Sequence, residues 1–308
     1  MITVLCGGVG AARLLGLLQR EVADFNYCAV VNVGDDLVLH GLTICPDLDT
    51  ITYTLANLNN EVTGWGLTDE TWRVNRELAE LGGEAWFQLG DRDLATHLYR
   101  TERLHQGATK TEVASELARH HGVTLSILPV SNDAVATFLE TDIGELSFQE
   151  YFVKHRHAVP VSKVTFRGAE VAVPTAESLT AIQNATRVLI APSNPVLSIA
   201  PILAIPGISE ALRARRNTIA AVSPLIGGRA LKGPADHLMT ELGFEASSYG
   251  VAAYYGELVG HWFIDEVDAS QASRIEELGA SVTVLPTIMT QPESASALAQ
   301  GIGTWLNS

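Results

Sequence analysis

Short apolar runs, rich in β-branched residues and free of polar alternation, recur along the chain, and each stops at a loop of small or acidic residues. Residues 2–5 break at Gly7-Gly8-Val9-Gly10, and residues 27–33 end in Gly34-Asp35-Asp36. Residues 188–190 run into Pro192-Ser193-Asn194-Pro195, and residues 218–222 into Ser223-Pro224 with Gly227-Gly228 close behind. Residues 123–128, 261–264 and 282–285 read as further strands, with helical segments between them. A strand that is apolar on both sides has to be covered on both faces. Alternation of such strands with helices therefore predicts a parallel sheet between helical layers. In sheets of this kind ligands bind beyond the carboxyl ends of the strands. The glycine, serine and asparagine loops all fall on that edge, and free N–H groups at a helix start suit a phosphorylated ligand.

With 308 residues, 47% of them hydrophobic, the chain can bury one large core or two ordinary ones. The alternating pattern covers residues 1–130 and 171–308; between them, residues 131–170 change texture. Strand-like runs at 134–139, 151–153 and 164–166 predict a small inserted antiparallel β region. It carries a basic cluster, Lys154, His155, Arg156, His157, Lys163 and Arg167. That cluster reads either as a solvated strand face or as a surface for a diphosphate, an acidic coproduct or a sister subunit. His155 and His157 fall on one side of a strand, but no carboxylate or cysteine completes a zinc set. Elsewhere the pattern predicts helices over 11–19, 50–58, 68–81, from about residue 91 to 105, and over 294–305. Asp69 and Glu70 suit the first turn of the helix at 68–81, and Thr109 with Glu112 forms a capping box for another that ends at Gly122.

The stretch from Val30 to Thr50 carries the most chemistry. Asn32-Val33-Gly34 leads into paired acids, Asp35 and Asp36, and a second pair, Asp47 and Asp49, follows in a Pro-Asp-Leu-Asp-Thr turn. Hard cations such as Mg²⁺ take carboxylate oxygens together with substrate phosphates. The four acids thus read as the metal and acceptor side of a phosphoryl-transfer site. The competing reading makes Asp35 and Asp47 turn and N-cap residues, a role Asp favours. Asp91, in Gly90-Asp91-Arg92-Asp93, either caps the helix it starts, pairs with Arg92, or joins the site.

Net charge of −15 and a pI near 5.0 argue against general binding to nucleic acid or a membrane surface, both of which need a basic face. No apolar run reaches the ~18 residues of a membrane span. Cys6, Cys28 and Cys45 form no CxxC and sit in apolar settings, as reduced core cysteines of a cytoplasmic protein do. The opening MITVLCGG goes straight into a strand and has no basic region ahead of a long apolar one, so no signal peptide is expected.

The segments CGGVGAARLL, VVNVGDD, CPDLDT, GWG, LGDRDLATH, APSNPVLSIAPIL, SPLIGG and KGPAD occur in that order over almost the whole chain. Together they resemble the 2-phospho-L-lactate transferase family, whose actinobacterial branch is called phosphoenolpyruvate transferase. The resemblance implies a Rossmann-like α/β core and a homodimer. It implies coenzyme F-420 biosynthesis: a phosphorylated three-carbon acid, phosphoenolpyruvyl or 2-phospholactyl, passes from a guanosine-diphospho-activated donor to the terminal ribityl hydroxyl of the deazaflavin Fo. GMP leaves, and Mg²⁺ is required. By position, the resemblance places Asp49 and Gln88 at the deazaflavin, Gly8, Val9 and Gly10 on the donor's diphosphate, and Ser193 and Asn194 on the donor side opposite. Some relatives hold Lys where Gln88 stands, so a charge is lost there. Arg13 stands where archaeal relatives often carry Lys, and either would neutralise a phosphate. Asn32 and Asp91 are counted with the substrate-binding residues. Mg²⁺ is expected on Asp36 and Asp49, together with Asp35 or Asp47; Asp36 and Asp49 are the expected catalytic pair, and Asp49 is the expected acceptor of the hydroxyl proton.

Two other readings compete. Nucleotide-sugar-binding regulators of the same superfamily share the glycine loop and the Pro-Ser-Asn type of loop, but they leave Gly64-Trp65-Gly66, the Pro-Asp-Leu-Asp-Thr turn and Leu89-Gly90-Asp91-Arg92-Asp93 together without a reason. An NAD-dependent dehydrogenase fits the opening strand and loop but lacks GxGxxG and a clear ribose-binding acid.

Overall fold

A computed structural model describes residues 1–60 and 64–308. Its centre is one seven-stranded sheet, all parallel. In chain order its strands are β1 (Ile2–Cys6), β2 (Tyr27–Val31), β3 (Ser126–Pro129), β4 (Arg187–Ile190), β5 (Ile219–Val222), β6 (His261–Ile264) and β7 (Ser281–Val284). In space the order is β7-β6-β5-β4-β1-β2-β3. The chain winds outward from β1 in one direction, then returns to β4 and winds outward in the other, which is the doubly wound, Rossmann-like arrangement. Leu5 pairs with Val30 on one side and Ile190 on the other, so the switch point lies between β1 and β4.

Alternate residues of the strands feed two separate cores. Leu5, Cys28, Val30, Val188 and Ile190 belong to one, and Val4, Cys6, Ala29, Val31 and Leu189 to the other. Burial on both faces is why these strands read as unbroken apolar runs. The second core is closed by α1 (Gly8–Glu21) and the C-terminal helix Pro292–Leu306. All three cysteines are buried and free. Among the described residues no helix is long and apolar enough to cross a membrane.

The inserted region is present as a three-stranded antiparallel sheet of Ala136–Thr141, Gly144–Ser147 and Val161–Arg167. Its Leu139, Leu146 and Val161 share the first core with the parallel sheet. The run at 151–153 is not a strand; it lies in a π-helical turn, Glu150–Lys154. His155 and His157 therefore sit in the turn that follows and do not share a strand face.

Other boundaries moved for identifiable reasons. The helix expected from residue 50 starts four residues earlier, as α2 (Pro46–Leu55), because Pro46 fits the first helical position, where its fixed φ suits the helix and its missing N–H is not needed. Ahead of it, Leu37–Leu39 and Leu42–Ile44 form a hairpin that the sequence reading missed. Its two turn residues, His40 and Gly41, both have positive φ, the conformation a tight hairpin turn requires. The helix expected over 68–81 is shorter, α3 (Arg73–Glu80), and is followed by α4 (Asp91–His105) and α5 (Lys110–His120).

Asp69 and Glu70 do not start α3; Asp69 is left-handed at φ 54°. Instead α3 and α4 exchange caps. Glu70 accepts the N–H groups of Arg92 and Asp93 at the start of α4, each at 2.8 Å. Asp91 accepts those of Arg73 at 3.2 Å and Val74 at 3.1 Å at the start of α3, and the Thr71 hydroxyl as well. The Asp91 carboxylate is thus spent on a helix end, which also holds its pKa below the usual range, and it is not at the candidate site. The capping box of Thr109 and Glu112 forms as expected.

Gly10 marks how tightly the switch point is packed. A Cβ there would collide with the carbonyl oxygen of Pro192 at the end of β4. Gly10→Ala should therefore cost about 1–3 kcal/mol. Urea unfolding should show this as a lower midpoint at unchanged slope; a midpoint equal to the parent's would mean the two loops can part freely.

Candidate active site

The loops after β1 and β4 meet at the switch point. The Ser193 hydroxyl donates to the Gly7 carbonyl at 2.8 Å, and the Asn194 side-chain oxygen accepts from the N–H groups of Val196 and Leu197 at 2.9 and 3.1 Å. Gly7 has no room for a Cβ, which would fall against Ser198 and Asp47. Gly8 adopts φ +71° and donates its N–H to Asp47 Oδ1 at 2.7 Å. Gly7, at the N-cap, has no side chain to cap α1, so among the described residues only Asp47 caps its start, and no acid lies in its first turn. The N–H groups of Val9 and Gly10 there have no intrahelical acceptor, and both residues line a cavity of about 620 Å³. Gly8, Arg13, Ser193 and Asn194 line it too.

The four acids expected at the site divide into two kinds. Asp36 and Asp49 are neutralised by cations of the protein. Lys110, buried at the start of α5, donates to Asp36 at 2.6 Å, and Asp36 is not part of the cavity wall. Burial would lower the Lys110 pKa, but the Asp36 charge outweighs it and holds the ammonium protonated. Asp36 therefore leaves the expected ligand and catalytic sets, since its carboxylate is turned into a buried ion pair. Asp49 does line the cavity, and both its oxygens accept from the Arg100 guanidinium, Oδ2 at 3.0 Å and Oδ1 closer still. Burial pushes the Asp49 pKa up, and Arg100 opposes it by stabilising the anion.

Asp35 and Asp47 are the other kind. Both are buried cavity-lining carboxylates, and neither has a cationic partner among the described residues. Asp47 holds hydrogen bonds from Gly8 and from Asn32 Nδ2, the latter at 3.0 Å. Asn32 in turn accepts the Gly34 N–H at 2.8 Å. Asn32 is buried behind the wall, so it positions Asp47 and does not itself reach a ligand in the cavity. Burial pushes Asp47 up to about 6, against the pull of the Asn32 and Gly8 hydrogen bonds. Asp35 is pushed well up by burial and then by the Asp47 charge, and its Oδ1 is buried with no hydrogen-bond partner among the described residues. Two adjacent buried carboxylates thus concentrate negative charge at the switch point.

Beneath Asp49 lies a network that the sequence reading did not assign. Asp93, His97 and Arg100 sit at i, i+4 and i+7 of α4 and so share one helix face. The Tyr53 hydroxyl donates to Asp93 Oδ1 at 2.6 Å. His97 Nδ1 lies 3.2 Å from Arg100 Nη1, and His97 Nε2 lies 3.4 Å from Asp93 Oδ2. Because a guanidinium only donates, Nδ1 must accept, which assigns the ring proton to Nε2; that nitrogen faces Asp93 but makes no hydrogen bond among the described residues. Asp49, Asp93 and His97 lie close enough to share an ion, with ligand atoms within 4.8 Å of one another. Arg100 already occupies Asp49, and His97 and Asp93 lie beneath that pair as its support. The spacing of these residues within LGDRDLATHLYR was the available signal. Lys110 left none, because an ordinary-looking helix-start lysine gives no sign of the buried acid it meets.

The rest of the cavity wall is aromatic: Trp65, Trp86, Phe87, Phe148 and Phe152 line it, and Gln88 is an exposed residue among them. Arg13 and Lys232 line the cavity as well; Lys232 lies against Gly64, and burial and then the Arg13 charge lower its pKa. The geometry brings together Gly8, Val9, Gly10, Arg13, Asp35, Asp47, Asp49, Gln88, Ser193 and Asn194; it leaves out Asn32, Asp36 and Asp91.

A doubly wound sheet whose switch point carries a helix start with open N–H groups beside buried carboxylates defines a Rossmann-like protein with a crevice at that point. Residues 2–287 match the model of the 2-phospho-L-lactate transferase CofD family, and the chain belongs to that transferase family. A phosphoenolpyruvate transferase of Streptomyces griseus is 41% identical over 306 residues, which covers 97% of this chain and 96% of that protein. One from Mycobacterium marinum is 40% identical over 320 residues, with 96% of each chain covered. Among solved structures, two of the protein BH3568 from Bacillus halodurans, described in one as a member of the UPF0052 family, have TM-scores of 0.62 and 0.63. They are 14% and 15% identical and cover 100% of this chain and 98% and 99% of theirs, so they share its fold.

Removing one partner of a buried ion pair leaves the other uncompensated. Arg100→Gln should cost ~3–5 kcal/mol, and adding Asp49→Asn should restore much of that loss. A double-mutant cycle by chemical denaturation measures the coupling; strict additivity would show that the fork contributes nothing.

Proposed function

We propose that this transferase moves a phosphorylated three-carbon acid, phosphoenolpyruvyl or 2-phospholactyl, from a guanosine-diphospho-activated donor to the ribityl hydroxyl of Fo, with release of GMP, as a step of coenzyme F-420 biosynthesis. The observation that carries this reading is the meeting, in one cavity, of the open N–H groups of Val9 and Gly10 with two buried carboxylates that no cation of the described residues pairs. The names of the relatives support the transfer of phosphoenolpyruvate. The regulatory alternative needs the glycine loop but has no use for the buried acids.

The chemistry requires the hydroxyl oxygen to attack the phosphorus that bears the acid, with an O–P bond formed and the bond from that phosphorus to the GMP oxygen broken. Such transfers depend on positioning and on neutralising phosphoryl charge. The residues fit a hard divalent ion: Asp35 and Asp47 offer oxygens only, and Asp35 Oδ1 has no other partner. Mg²⁺ held there would supply neutralisation of the diphosphate oxygens. The N–H groups of Val9 and Gly10 would hold the diphosphate from the helix end, and Arg13 would add a charged donor. Asp49, kept anionic and in fixed orientation by Arg100, would orient the attacking hydroxyl and accept its proton. The aromatic wall beside Gln88 offers flat apolar surface for the deazaflavin ring.

The test is an assay with Fo, Mg²⁺ and each guanylated three-carbon acid in turn, following GMP and the coupled product by mass. One donor should give both products in equal amounts; GMP without a coupled product, or neither, would defeat the proposal. Asp49→Asn strands Arg100 and should lower the melting temperature, yet below that transition it should keep the parent's circular dichroism and lose turnover by ~10²-fold or more. Near-normal GMP release from that variant would take Asp49 out of the mechanism.

A further inference from the structure

The inserted region ends one wall of the cavity with an unusual piece of backbone. The π-helical turn Glu150–Lys154 is anchored at its start, where Gln149 Nε2 donates to the Asp35 carbonyl at 3.0 Å. At its middle, Phe152 stacks on Phe148 with ring centres 5.4 Å apart and lies against Gly233. At its end, Lys154 is placed over the Trp86 ring at 5.7 Å. The chain then closes the turn with the His155 N–H on the Glu150 carbonyl and the His157 N–H on the Tyr151 carbonyl, both at 2.8 Å. To do so it puts two successive non-glycine residues, Arg156 and His157, into the left-handed region at φ 51° and 45°. That conformation costs an L-residue roughly 1–2 kcal/mol each, and glycine would have adopted it freely.

What the conformation delivers is a guanidinium. Arg156 lines the cavity, and it has no hydrogen bond or ion pair among the described residues. The basic side chains near it are otherwise engaged: Lys163 pairs with Glu140, Arg167 with Glu145, and Lys154 with Trp86. Of the cations around the four acids, Arg100 and Lys110 are consumed by Asp49 and Asp36. Among the described residues the cavity then has Arg13 on α1, Lys232, which lies against Gly64 and feels the Arg13 charge, and Arg156 on the inserted wall. The donor of the proposed reaction carries two kinds of negative group. Its diphosphate belongs with the glycine loop. Its other anion is the planar carboxylate of the three-carbon acid, which a guanidinium can bind with two parallel hydrogen bonds.

We propose that Arg156, held in a left-handed turn on the inserted wall, binds the carboxylate of the acid being transferred and so determines that the donor is an acid ester. This rests on the donor class proposed above. It gives the inserted region a chemical role, that of the wall that distinguishes an acid from a neutral alkyl group on an otherwise identical guanosine diphosphate ester.

The experiment is a binding comparison that does not depend on turnover. Isothermal titration of the protein with guanosine diphospholactate and with the ethyl ester of GDP, which lacks only the carboxylate, measures the preference for the acid. A charged hydrogen-bonded pair corresponds to a preference of ~10–100-fold. Arg156→Gln should abolish that preference, Arg156→Lys should keep part of it, and the affinity for GDP itself should be unchanged in both. Arg156 is exposed, so neither substitution disturbs a core. An equal preference in the parent and Arg156→Gln would overturn the proposal, and so would a loss of GDP affinity as large as the loss for the acid ester, since Arg156 would then serve the diphosphate. Failure of the parent to release GMP in the presence of Fo would defeat the transfer reading, while the binding comparison would still decide what Arg156 contacts.

Discussion

The site depends on a buried carboxylate that ties two strand ends together. Asp47 accepts from the Gly8 N–H after β1 and from Asn32 at the end of β2, so a single anion fixes the glycine loop against the neighbouring strand. It does this from the first turn of α2, which Pro46 starts where a longer loop would leave the acid adrift. Gly7 and Gly10 are small because Ser198, Asp47 and Pro192 lie within contact of where a Cβ would be. The resulting junction is closely packed and negative, and it sits at the switch point where a doubly wound sheet offers a crevice.

Charge balance explains the rest of the architecture. An unpaired buried carboxylate is costly, and proteins either pair such a group or let it take up a proton. Here α4 supplies Arg100 to Asp49, and α5 supplies Lys110 to Asp36. Among the described residues Asp35 and Asp47 receive no such partner, and burial raises both pKa values. Their immediate neighbours are paired, so the negative charge that no protein cation meets lies at one point beside the helix start. Asp93, His97 and Tyr53, under Arg100, support Asp49 from the other side.

Much of this was legible in the sequence, and for a physical reason. Strands buried on both faces cannot hide their periodicity, so β1, β2, β4, β5 and β6 could be read within a residue or two, and the loops that end them named the edge where the site lies. The acids Asp35, Asp47 and Asp49 were visible because carboxylates are rare at the ends of such strands. What could not be read was partnership at a distance. Asp36 and Asp49 look alike in a one-dimensional string, yet their cations come from residues 110 and 100. Asp91 and Glu70 looked like caps of their own helices and prove to cap each other's, because each approaches the other's start across the glycine at position 90. Tyr151 reads as strand by composition, and the packing of Phe148 and Phe152 winds it into a π turn instead.

The division of the acids is the claim on which the account stands, and ion binding tests it most directly. Titration of Mn²⁺ in the presence of GDP, followed by electron paramagnetic resonance with Mg²⁺ as competitor, should show one site. Asp35→Asn should weaken that site by at least ~10-fold, while Asp36→Asn, whose carboxylate belongs to Lys110, should leave it within a few-fold of the parent. Strong binding by the Asp35 variant together with loss in the Asp36 variant would contradict the assignment and place the ion on the wrong side of the loop.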